Sequence, residues 1–109
     1  MAHLDQAYLK DIIALLGAEQ FVPLKNQFIV DCDKAAAALR AALAQSDEAQ
    51  VKRQAHLLKG VLGQYGAREG EAIAARLAHG LPSDWRVVTQ ALLDETAMAC
   101  NEMAALVGA

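Results

Sequence analysis

Apolar positions recur at spacings of three and four along almost the whole chain, a period that predicts helices and no strand. Leu4, Tyr8, Leu9, Ile12, Ile13 and Leu16 mark a short first helix over about 4–16. Asp5 suits its positive end, Gly17 its stop, and its apolar residues are read as core. A long helix over about 19–45 carries Phe21, Leu24, Phe28, Ala35, Leu39 and Leu43. Pro23 is expected within its first turn, where a missing amide is harmless. Gln45-Ser46-Asp47 reads as a turn, with Asp47 and Gln50 forming a candidate capping box and Ser46 as the alternative cap. The third helix, about 47–65, keeps Val51, Leu58, Leu62 and Tyr65 on one stripe. The fourth, about 67–79, turns Ile73 and Leu77 inward and closes at Gly80. Pro82 blocks continuation, and Ser83 is the expected cap of a last helix over 83–107. Short connections imply antiparallel neighbours. The expected fold is all-α: an up-down-up-down antiparallel four-helix bundle with a short N-terminal helix capping one end, in a single domain over 1–109.

The polar face of the third helix is unusual. At about 100° per residue, Ala49, Lys52, Arg53, Lys59, Gly60 and Gly63 fall within roughly 60° of His56. One imidazole thus stands among cations and residues with almost no side chain. Each glycine costs about 1 kcal/mol relative to alanine in a helix interior, so Gly60 and Gly63 weaken the element that holds them. One reading is a surface cleared for close approach to the ring, with Lys59 placed to meet an anion. The other is an exposed histidine beside two unrelated glycines, and the spacing alone leaves both open.

Composition narrows the classes. At 109 residues the chain can bury one modest core. Its hydrophobic share of 55% is carried largely by alanine and leucine, and only 5% is aromatic, which favours helix over strand. A net charge of −3 argues against a general nucleic-acid binder. No apolar run approaches the ~20 residues needed to span a bilayer, and no signal peptide is visible at Met1-Ala2-His3. Cys32 and Cys100 lack any CxxC pairing and read as reduced, partly buried residues. These features point to a cytoplasmic protein, complete as given on the strength of Met1 and the short tail, and monomeric. His3 lies near a terminus expected to fray.

His56-Leu57-Leu58-Lys59-Gly60, with Gly66 further along, resembles the signature of the histidine phosphotransfer (HPt) domain family. The resemblance extends upstream to Leu16-Gly17-Ala18-Glu19-Gln20-Phe21 and Ala38-Leu39-Arg40-Ala41-Ala42-Leu43, and downstream to Leu81-Pro82-Ser83-Asp84-Trp85. It implies a phosphoryl shuttle of a two-component phosphorelay. His56 would accept a phosphoryl group from a receiver-domain aspartate, on Nε2, and pass it to another receiver. Lys59 would pair with the phosphoryl oxygens as a point charge, and Gly60 and Gly63 would give access. Lys52 and Arg53 would steer an acidic partner, with Gln64 on the same docking surface. The partners implied are response-regulator receiver domains and a hybrid histidine kinase. No intrinsic cofactor is expected, the Mg²⁺ belonging to the partner receiver.

The residues agree with that chemistry. Neutral imidazole is a nucleophile near pH 7, and phosphoryl transfer asks mainly for positioning and charge stabilisation. The chain has no GxxxxGK[ST] loop, so it is not expected to draw phosphate from ATP. The family commonly sets a polar residue, often Gln, on the following helix to bond the active ring. Here that register falls near Ala78, with Arg76 and His79 close by, while Gln64 lies about 80° from His56. His79 is read as a helix-terminal histidine at the negative dipole end. Two other classes compete with this one: a non-transferring HPt-like module that binds and regulates a kinase or response regulator, and a metal site through His56 and His79, which lacks a carboxylate or thiolate.

Overall fold

The structure, a computed structural model, describes residues 3–106 as five helices. These are α1 (Gln6–Leu16), α2 (Ala18–Gln45), α3 (Glu48–Gln64), α4 (Arg68–Ala78) and α5 (Trp85–Ala105), and no strand occurs among the described residues. The far end expected for the last helix, residue 107, lies outside them. Helix α2 packs against α3 and α5, and α4 packs against the same two. Four helices therefore ring one core, while α1 lies along α2. The core is sealed by Phe21, Phe28, Leu39, Leu58, Leu62, Leu77, Leu92 and Met103. Phe28 meets Tyr65 edge to face, with ring centroids 5.3 Å apart.

Several local expectations need correction. The first helix starts only at Gln6, because Asp5 is its N-cap and accepts from the Tyr8 amide at 3.0 Å. Leu4 is buried ahead of the helix rather than within it. Of the apolar residues expected in the core, Leu4 and Leu9 are buried and Ile12 and Ile13 pack against them, while Tyr8 and Leu16 are exposed. Helix α1 packs chiefly against α2, and so buries mainly one face. Gly17, at φ +88°, serves as both the C-cap of α1 and the N-cap of α2, so helix resumes at Ala18. Pro23 consequently falls in the second turn of α2, where the missing amide leaves the Glu19 carbonyl without its helical donor. Glu19 is exposed, so water can take that bond. At the start of α5 the N-cap is Asp84, not Ser83, and its side chain makes no capping bond. Asp47 does cap α3, accepting from the Gln50 amide at 3.2 Å.

The α3–α4 corner is built on Gly66, at φ +78°. Ala67 N donates to Leu62 O at 2.9 Å and Gly66 N to Gly63 O at 3.3 Å, the paired bonds of a left-handed helix stop. A Cβ on Gly66 would sit 3.0 Å from Asp5 Cβ and from Tyr8 Cδ2, so the corner requires glycine twice over. The N-terminal segment is laced onto this corner. Asp5 N donates to Gly66 O at 2.8 Å, and Tyr8 Oη to Gln64 O at 3.1 Å. Glu102 of α5 accepts from the amides of His3 and Leu4 at 2.6 and 3.1 Å, and His3 Nδ1 lies 2.6 Å from Glu95 Oε1. His3 is thus tied down by α5 rather than frayed. At the other end of the bundle, the guanidinium of Arg86 lies 4.3 Å over the ring of Trp85 and donates to Ser46 Oγ at 2.9 Å.

Candidate functional site

Helix α3 holds the candidate residues because its apolar stripe leaves one face free. Val51, Ala55, Leu58 and Leu62 are buried at spacings of four, three and four, which turns His56 outward. His56 is exposed, and with Lys59, Gly60, Gly63, Gln64 and Glu71 it lines an open depression of about 360 Å³. Lys52 and Arg53 are also exposed but do not line it, standing one turn nearer the start of the helix. The sequence candidates therefore divide into a pit around the ring and a basic flank beside it.

The two glycines differ in kind. A Cβ at Gly60 would meet nothing within 4 Å, so this position opens directly on solvent. A Cβ at Gly63 would lie 2.5 Å from Glu71 Oε2 and 2.8 Å from Glu71 Cδ. Gly63 is therefore a notch that receives the carboxylate of a half-buried α4 residue, rather than a bare patch of helix. Sequence reasoning did not single out Glu71. Its signal was available: it lies seven residues before Ala78, two turns along the same side of α4, facing the glycine of α3.

Polar partners of the ring follow a similar pattern. Ala78, where the family register would set an orienting group, is half-buried and offers none. His79, the C-cap residue of α4, reaches across instead to Lys59: Nζ of the lysine lies 3.3 Å from His79 Nε2. Arg76 is exposed, and Gln64 contributes its carbonyl to Tyr8. Among the described residues Lys59 forms no direct ion pair, and the contact with His79 holds its ammonium. The described residues also contain no group of three or more His, Cys, Asp or Glu side chains able to hold a metal ion. In chemical terms the pit offers one accessible imidazole, one cation fixed nearby, and clear approach over Gly60.

Neither curated proteins nor solved structures give a match. A family model, described as the Hpt domain, matches residues 23–107, which leaves α1 and the first turn of α2 outside the match. Spanning well over half of the sequence and containing the whole of the His56 pit, that match shows that the chain belongs to the Hpt domain family, the phosphotransfer domains of phosphorelays.

Proposed function

We propose that this protein is a histidine phosphocarrier, with His56 as the phosphoacceptor on an up-down-up-down four-helix scaffold. The observation that carries the reading is the pit itself: an exposed imidazole beside an ammonium with no direct ion-pair partner and an open glycine position. In the transfer step the Nε2 lone pair of neutral His56 attacks the phosphorus of an aspartyl phosphate on a receiver domain. The new P–N bond forms as the P–O bond breaks, and the aspartate leaves as carboxylate. The reverse step, to a second receiver, regenerates the neutral ring. Lys59 supplies positive charge to the equatorial oxygens, which carry the developing charge. The receiver brings Mg²⁺ and the aspartate, so the carrier needs only the ring, the cation and a face that docks.

The partners in this reading are response-regulator receiver domains and a hybrid histidine kinase, met by a monomer in the cytoplasm. Lys52 and Arg53 form a basic flank on a chain of net charge −3 and steer the acidic rim of a receiver towards His56. The test is transfer from receiver domains carrying labelled aspartyl phosphate. Acid-labile, base-stable label on the wild type and none on His56→Gln is the expected result. Binding to those receivers with no label transferred would replace the carrier with a regulatory module.

A further inference from the structure

Lys59 carries its charge on a four-carbon stem, and a free lysine at a helix surface samples many rotamers. Here the stem is not free. Its Nζ lies 3.3 Å from Nε2 of His79, at the C-terminal end of α4, while the same lysine lines the His56 pit on α3. An ammonium has three N–H donors and no acceptor, so at this contact the imidazole accepts through its lone pair. One donor is then engaged by His79 and two remain for incoming oxygens. The choice of partner matters. A carboxylate at this position would fix the lysine but cancel its charge, whereas a neutral imidazole fixes it and leaves the charge intact. Glu71 is the acidic residue of the pit, and it forms no ion pair with Lys59.

We propose that His79 is a positioning residue for the phosphoryl step, holding the Lys59 ammonium over the His56 pit before the phosphoryl group arrives. The inference rests on the carrier reading of His56. It adds a function for the α4 terminus. His79 touches no reacting atom; it acts through Lys59 by removing the disorder that the lysine would otherwise lose in the transition state.

The test uses phosphoramidate as donor, so that no receiver has to be identified. In that reaction His56 takes the phosphoryl group, the P–N bond of phosphoramidate breaks, and ammonia leaves. His79→Ala is expected to slow phosphohistidine formation by about 3- to 10-fold, the scale of one ordinary solvent-exposed hydrogen bond. His79→Gln, whose amide oxygen can accept at similar reach, is expected to restore the rate to within about twofold. On a Lys59→Ala background the His79→Ala change should cost nothing further, because the two act as one unit. Wild-type rates in His79→Ala, no rescue by glutamine, or full additivity with Lys59→Ala would each overturn the inference. So would imidazole ¹⁵N shifts of His79 that ignore Lys59→Ala. If the wild type takes no label from phosphoramidate or from any receiver, it is the carrier reading of His56 that falls. Label on the wild type with an unchanged His79→Ala removes the positioning role alone.

Discussion

At the scale of single residues, the pit sets two glycines in opposite circumstances, and substitution should separate them. Gly60→Ala adds a methyl group to open space, so helix propensity should raise stability by about 1 kcal/mol, read by urea denaturation. The same methyl stands where a receiver must approach, so transfer from a receiver should fall while labelling by phosphoramidate is unchanged. Gly63→Ala meets the Glu71 carboxylate, the far end of a flexible side chain that can swing away. Its stability change should therefore stay below the full alanine gain, and Glu71→Ala in the same chain should release the remainder, up to about 1 kcal/mol. The cysteines form a second contrast. A hydrogen bond from Cys32 holds the Cys100 thiol below its ordinary range, with burial opposing it. The same contact, reinforced by burial, pushes Cys32 up. Half-buried Cys100 should alkylate first at pH 8, and buried Cys32 only on unfolding, as mass mapping of iodoacetamide adducts would show.

At the scale of elements, the corner after α3 is the most demanding joint in the chain. Gly66→Ala forces a positive φ on a residue with a Cβ and presses that atom against Asp5 and Tyr8. A loss of about 1–3 kcal/mol in thermal or urea unfolding is expected. Much of this level could be read from the chain before any coordinates. Three- and four-residue spacing set the five helices, Asp47 announced the start of α3, and the stripe Val51, Leu58, Leu62 fixed which side of α3 faces outward. What sequence could not supply depended on neighbours across space. The spacing of Glu71 from Ala78 places it on the right side of α4 but does not say that its carboxylate fills the notch at Gly63, and nothing local tells His79 that Lys59 lies within reach. Pro23 misled for a similar reason: its own preference is for a first turn, but Gly17 lets α2 begin already at Ala18, which puts Pro23 in the second turn, and Phe21 is drawn into the core. The apolar run of α1 signalled burial, which Leu9, Ile12 and Ile13 show, while how far Tyr8 and Leu16 are covered depends on the neighbours of α1 in space.

At the scale of the whole molecule, the N-terminal segment behaves as a strap joining α5 to the end of the helix that bears His56. Glu102 holds the backbone of residues 3 and 4, and Gly66 receives the amide of Asp5. Glu102→Ala should leave two amides without protein acceptors and cost about 1–2 kcal/mol, with faster hydrogen exchange near residues 3–9. Exchange in the middle of α3 should be unchanged. The segment lies outside the matched family span. No helix among the described residues is long and apolar enough to cross a membrane. The opposite end of the bundle carries a feature of another use. Trp85 is the sole tryptophan, nearly enclosed, capped by Arg86, and tied through that arginine to the turn between α2 and α3. Its emission is therefore a built-in optical gauge of whether the base of the bundle is shut. Opening that end would carry the indole from a dry, cation-covered seat into water and shift its fluorescence to the red, a signal that needs no dye and no change to the His56 face.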